Sequence, residues 1–404
     1  MTEKKYKIFI VFFIFLLTIS CNSDNKKNSL ILWHGWGGAE LNSLRYVIKE
    51  FKVANPDIEV MSLPIPFGQL KNKYSISTAA NAGPDLVIGN IDWIGKFVES
   101  EVITHVDDLI TDELKNRFFD VSLESLKFNG HYYALPESVE SVAIYYNKSL
   151  MPTPPKTIDE IIKYSEEIHK KNEKNFGMVF NTNLYFAVGF LFGFNGHLFD
   201  DKGVIDIVNE GNIKWLEFMA KLNKTKSIIA KSDYGKAGAL FQEKKCGMII
   251  NGPWALTDYT KKLGKDLGVA LMPDTKTGKK TTPFLGVKCF MFNPNSKPQS
   301  RKLAAKFVEF MTNDKMSQYM LENASHIPAN KNINKAKDPN LQVFIDQSRI
   351  TTPMPINPTM DALWEPMQKA VEEVLTIDKD PKQALNDAQT VSRQKLEKMK
   401  EVRK

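Results

Sequence analysis

Three short apolar runs, each followed by an amphipathic segment, occupy residues 30–99, and few folds satisfy that order. Leu30, Ile31, Leu32 and Trp33 form a continuous run, as a buried strand does. After a glycine-rich stretch at 34–38, Leu41, Leu44, Val47, Ile48 and Phe51 recur at helical spacing. That pattern stops at Asn55-Pro56, because proline cannot continue a helix. Ile58, Val60 and Leu63 read as the next strand, 70–80 as a helix ending before Gly83-Pro84, 85–88 as a strand and 91–99 as a helix. Strand and helix in strict alternation imply the α/β class, a mostly parallel sheet covered by helices. Ligands of such sheets bind beyond the carboxyl ends of the strands. The loops 34–38 and 89–93 lie at two such ends and should line one edge of a cleft.

Asn129-Gly130 separates two short apolar runs and predicts a hairpin. Thr157 and Glu160 form a capping box ahead of a helix over 158–171. The β/α alternation then resumes to about 271, and the chain is mainly helical from Arg301. With 404 residues, 43% of them hydrophobic, the chain can bury two cores and hence form two domains. Cys246 and Cys289 sit in strand-like apolar stretches; buried free thiols are the expectation, with a disulfide the alternative in an exported protein.

The N-terminus supports export. Lys4, Lys5 and Lys7 precede a wholly apolar stretch at 8–17, followed by Thr18-Ile19-Ser20-Cys21. That stretch is too short to span about 30 Å of hydrocarbon as a permanent helix, and it has the layout of a signal peptide. Ser20-Cys21 resembles a lipobox, in which the cysteine is lipidated and becomes the mature N-terminus; Thr18 departs from the usual aliphatic residue. We expect a lipoprotein signal peptide over 1–20, lipidation at Cys21 and a polar tether over 21–28. The residues 22–28 after the cysteine reach at most roughly 24 Å, so the protein should work beside its membrane, outside the cytoplasm.

Several chemistries lack their residues. His34-Gly35-Trp36-Gly37-Gly38 after a strand looks like an esterase oxyanion loop, but no Gly-x-Ser-x-Gly elbow accompanies it. The six histidines are scattered, with no His-Glu-x-x-His or Cys-x-x-Cys, so no metal or cofactor is expected and His326 reads as structural. The net charge of +7 comes from interspersed charges of both signs, which speaks against a nucleic-acid partner.

The aromatics are more informative. Trp254 follows Asn251-Gly252-Pro253 at the end of an apolar strand, Trp364 lies on a late helix, and Tyr185-Phe186 lie in a loop-like stretch opened by Asn181-Thr182-Asn183. Such rings suit the apolar faces of sugars, while carboxylates and amides suit the hydroxyls.

Four stretches carry a resemblance: Gly83-Pro84-Asp85-Leu86-Val87; Tyr145-Tyr146-Asn147-Lys148-Ser149-Leu150-Met151-Pro152; Ile250-Asn251-Gly252-Pro253-Trp254-Ala255; and Met360-Asp361-Ala362-Leu363-Trp364. With these, the chain resembles the carbohydrate-binding (family 1 extracellular solute-binding) subunits of ABC importers, of the maltose-binding type, from Leu30 to about Ala388. The resemblance implies a type II periplasmic-binding-protein fold, two α/β lobes joined by hinge strands with the ligand between them. The implied lobes are 29–138 with 290–333, and 139–289 with 334–404. It also implies that Asp92 and the hinge Glu140 bond sugar hydroxyls, that Tyr185, Trp254 and Trp364 stack on the sugar, and that Phe186 and Tyr234 line the site. Departures fall at the site itself. The first loop reads Trp36-Gly37-Gly38 where the family has an Asp-Lys pair, Gly89 replaces a tryptophan, Trp93 an arginine, Asn183 a glutamate and Gln368 an arginine.

The expected function is capture of a di- or oligosaccharide, maltose- or trehalose-like, by a monomer that closes its lobes and delivers the sugar to permease subunits served by a cytoplasmic ATPase. Alternatives are binding of another polyol-like solute such as a glycerol-phosphate ester, a glycosidase using Asp92 and Glu140, or an adhesin or chemosensory receptor.

Overall fold

The structure, a computed structural model, describes residues 28–275, 279–356 and 358–401. The expected signal peptide, Cys21 and all of the tether except Asn28 lie outside the described residues. Asn28 is the first residue of strand β1, paired with Ile58. Among the described residues no helix is long and apolar enough to cross a membrane.

The strands are β1 (Asn28–His34), β2 (Ile58–Pro64), β3 (Leu86–Asn90), β4 (Lys127–Phe128), β5 (His131–Tyr132), β6 (Leu135–Glu140), β7 (Ala143–Asn147), β8 (Phe176–Asn181), β9 (Ile228–Lys231), β10 (Cys246–Asn251), β11 (Leu267–Ala270), β12 (Phe284–Phe292), β13 (Ile327–Pro328) and β14 (Thr352–Pro353). They build two larger sheets and the hairpin β4–β5. The first sheet runs β13-β6-β12-β3-β1-β2, with β14 beside β12; the second runs β11-β7-β10-β8-β9.

The opening alternation forms as its periodicity predicts. Leu30 and Leu32 of β1 are fully buried, and helix Gly38–Ala54 buries Leu44, Val47 and Phe51 on one face. Asn129 and Gly130 both take positive φ (51° and 89°), the geometry of a tight hairpin turn. The Thr157/Glu160 capping box is present in full. Cys246 and Cys289 are buried free thiols.

One detail differs from the sequence reading. The sheets are mixed, because β12 runs antiparallel to β3 and β6, and β7 antiparallel to β10 and β11. These are the strands next to the passages between sheets, where the chain reverses. Strand pairing puts Val139, Glu140 and residues 284–289 in the first sheet, so the expected lobe boundaries at 138/139 and 289/290 fall within β6 and β12. The C-terminal helices return to the second sheet's side. Val269 N–H donates to the Asn340 side chain, Met272 N–H to Gln347, and helix Thr359–Ile377 packs on helices Leu184–Gly193 and Glu210–Lys224.

Candidate functional site

The second sheet supplies a group of aromatic rings. Strand β10 ends at Asn251, whose carboxamide donates to the Tyr259 hydroxyl (2.8 Å) and accepts from Gly252 N–H (2.8 Å). A Cβ on Gly252 would lie 2.1 Å from the Trp254 ring, so glycine is what lets the indole lie flat against the backbone. Pro253 then opens a single 3-10 turn. The indole N–H of Trp254 donates to the Tyr234 hydroxyl at 3.0 Å, the Tyr234 ring stacks on Phe186 at 5.9 Å, and Tyr185 lies 6.3 Å from Trp254. Tyr234 is 46% exposed, and Trp254 and Trp364 are half-buried. The Trp364 ring meets Phe284 edge-on at 6.1 Å.

Tyr185 and Phe186 are not in a loop. They fill the first turn of helix Leu184–Gly193, which Asn183 caps by accepting from Tyr185 N–H at 3.0 Å. The helix is apolar almost all round, so its sequence shows no helical period. Gln368 accepts from Leu184 N–H at 2.9 Å and so secures the same helix start. Asn183 and Gln368, two of the family departures, thus hold the helix that carries Tyr185.

The first sheet supplies charge. Asp92 stands in the 3-10 turn Ile91–Trp93, directly after β3. Burial pushes its carboxyl up; Lys71 pulls it down, and the negative charges of Asp361 and Glu140 add to the rise. Glu140, buried at the end of β6, pairs with Lys288 of β12 at 3.3 Å. Burial raises the Tyr185 hydroxyl, and the charges of Glu140 and Asp92 raise it further. Those two carboxylates and the phenol, from opposite sheets, therefore share one region.

Trp36 and Trp93 are packed within the first lobe, at 6% and 4% exposed. Trp93 lies against Phe67 and Phe97, and a Cβ on Gly89 would come within 2.5 Å of its ring. Trp93 therefore fills the space that a side chain at position 89 would need. Trp36 meets the His326 ring edge-on at 4.8 Å.

Sequence reasoning missed the buried ionic network beneath the site. Lys288 Nζ lies 2.8 Å from Glu40 Oε1, and its ammonium is 5.8 Å from the Trp254 ring centroid. Burial alone would lower Lys288, but Glu40 and Glu140 outweigh it and hold the amine charged. His326 places Nδ1 2.9 Å from Glu137 Oε1 and Nε2 2.9 Å from Glu40 Oε1. Both ring nitrogens face carboxylate oxygens, so both donate and the ring is an imidazolium. Burial opposes that charge, yet Glu137 and Glu40 push the histidine up to about 9. Burial likewise opposes Glu40, and Lys288 and His326 pull it down to about 2. One signal was available: Lys288 interrupts the apolar run of β12, and a buried lysine needs a partner.

This network sets a pH dependence. The folded pKa of His326 exceeds its ordinary 6.5, so its contribution is whole below pH 6.5 and is lost as pH rises to about 9. The shift corresponds to on the order of 3 kcal/mol. Denaturation profiles across that window should fall for the wild type and be flatter for His326→Gln; parallel profiles would contradict the imidazolium.

The two lobes also touch. Asp361, on helix Thr359–Ile377, accepts from Lys71 at 2.5 Å and from Lys96 at 3.0 Å, both from the first lobe. A Cβ on Gly95 would lie 2.1 Å from the Ile356 carbonyl oxygen, which marks a close backbone approach.

Comparisons with known proteins agree on one family. Residues 46–343 match the model of the bacterial extracellular solute-binding protein family. A maltotriose-binding protein of Pyrococcus abyssi is 32% identical over 364 residues, 88% of this chain and 78% of that protein. A galactooligosaccharide-binding protein of Bacillus subtilis is 27% identical over 91% of this chain and 90% of its own length. Among solved structures, a maltose/maltodextrin-binding domain from Bdellovibrio bacteriovorus, bound to maltotriose, superposes with a TM-score of 0.84 at 25% identity, covering 91% of this chain and all of that one.

Proposed function

We propose, because this chain belongs to the bacterial extracellular solute-binding protein family, that it captures a di- or oligosaccharide between its two lobes and delivers it to an ABC permease. Its fold is that of the maltose-binding type.

The observation that carries this reading is a buried, unanswered phenol oxygen within reach of a buried carboxylate's charge, among rings. Tyr185 Oη is buried with no hydrogen-bond partner among the described residues, and the buried Glu140 Oε2 is met only by the Lys288 ammonium, at 3.3 Å. Buried polar groups ordinarily have partners. Glu140 Oε2 can accept from a sugar hydroxyl, and Tyr185 Oη can donate or accept. Trp254, 6.3 Å from the Tyr185 ring, and Tyr234, which bonds the Trp254 indole, offer apolar faces beside them, while Trp364 stands half-buried against Phe284. A glycerol-phosphate ester fits less well, because Lys288, Lys71 and Lys96 are already paired with carboxylates.

A thermal-shift panel of maltotriose, maltose, trehalose and a galactooligosaccharide tests the reading. A sugar at 100 times its dissociation constant stabilises by about 2.7 kcal/mol. Stabilisation by none of them, or release of glucose from maltotriose, would overturn it, the latter in favour of a glycosidase using Asp92 and Glu140.

In this reading Asp361 acts as a clasp between lobes. Asp361→Asn should weaken sugar binding about five-fold, near 1 kcal/mol, as expected for partly exposed ion pairs. Calorimetry showing unchanged affinity would remove the clasp from the account. The protein works as a monomeric lipoprotein held by Cys21 and its tether. Cys21→Ala should abolish lipidation and release the protein from membranes, and mass spectrometry finding a mature N-terminus other than a lipidated Cys21 would refute this.

A further inference from the structure

The exposed edge of the first lobe gathers two of the six histidines around one carboxylate. His131 Nδ1 lies 2.6 Å from Asp107 Oδ2, and His105 Nδ1 lies 3.4 Å from the same oxygen. One ligand atom from each of the three residues can be chosen so that all lie within 4.8 Å of one another. His105 and His131 are far apart in sequence, which is why the histidines looked scattered.

Three contacts hold the trio in place. Tyr132 N–H donates to Asp107 Oδ1 at 2.9 Å, which leaves Oδ2 turned to both rings. Val106 N–H donates to the Tyr132 carbonyl at 2.7 Å, tying the loop to β5. The Arg301 guanidinium donates to the His105 carbonyl at 3.0 Å. A carboxylate fixed by a backbone N–H is the kind of outer support that metal ligands use.

We propose that His105, Asp107 and His131 form a surface site for a first-row divalent transition metal such as Zn2+, with two imidazoles and one carboxylate as ligands and water completing the shell. Ligand atoms about 2.0–2.1 Å from a tetrahedral ion stand about 3.3 Å apart. The His105–Asp107 separation already matches, and the His131–Asp107 hydrogen bond has to open by less than about 1 Å. Imidazole and carboxylate suit zinc, nickel and copper, whereas calcium and magnesium favour all-oxygen shells. None of the three residues belongs to the proposed sugar site.

The test is calorimetric titration of the full chain, purified without a histidine tag, with Zn2+ in a non-chelating buffer. One zinc per protein is expected. His105→Gln and His131→Gln should each weaken binding by more than the roughly ten-fold that losing a ligand's supporting partner costs, and the double variant should lose the site. Asp107→Asn, which keeps an acceptor for Tyr132 N–H, should also weaken it. An unchanged circular dichroism spectrum and thermal midpoint without metal confirm the fold of these variants. No zinc uptake by the wild type, equal uptake by the double variant, or equally tight binding of Ca2+ would each overturn the proposal.

Discussion

Lys288→Ala should cost about 3–5 kcal/mol of folding stability, the range for breaking a buried ion pair by removing one partner. The ammonium is the only positive group within reach of both Glu40 and Glu140 among the described contacts. Without it, Glu40 keeps only His326 and Glu140 loses its ion-pair partner. Glu140 would then sit in low dielectric with its charge uncompensated, and Glu40 would share the single imidazolium of His326 with Glu137. The effect should reach the site, because Lys288 holds Glu140 and faces Trp254. Lys288→Arg should recover most of the stability by keeping the charge. Urea denaturation of both variants decides the matter. A loss under about 1 kcal/mol for the alanine variant would mean that water already screens this network as it does a surface pair.

Trp254→Ala and Trp364→Ala should each weaken sugar binding by about 1–3 kcal/mol, the range for losing a large aromatic contact at a binding surface. Folding should suffer much less. Both rings are half-buried, and Trp254 rests on the bare backbone of Gly252. If instead both variants lost several kcal/mol of stability and bound sugar as before, the rings would be core residues and the site would lie elsewhere.

The contrast between these predictions shows what the sequence made legible. The fold follows from period: β1, helix Gly38–Ala54, β2 and β3 each carry an unambiguous apolar rhythm. Trp254 was legible because Asn-Gly-Pro-Trp is a local device, with the glycine making room for the ring. Tyr185 was recognised by residue type but assigned to a loop, because an apolar helix in a packed interior has no polar face to reveal it. The network of Glu40, Glu137, Glu140, Lys288 and His326 was invisible for a different reason. Its members come from a helix start, strands β6 and β12 and the residue before β13, so only the fold brings them together. The same holds for Asp361 with Lys71 and Lys96, and for the histidine trio.

Sugar capture by closure is the central claim. The proposed contacts come from both lobes: Asp92 and Glu140 from the first sheet, Tyr185, Trp254 and Trp364 from the second lobe. A ligand that touches both binds the closed form better, and only that difference can shift the population. Moving the balance from 1:99 to 99:1 takes about 5.5 kcal/mol. A micromolar sugar has about 8.2 kcal/mol of binding free energy, so closure is within reach when most contacts form only on closing. Small-angle scattering, with and without the sugar that stabilises the protein most in the thermal panel, measures this directly. The radius of gyration should shrink at saturation; an unchanged radius would rule out ligand-driven closure.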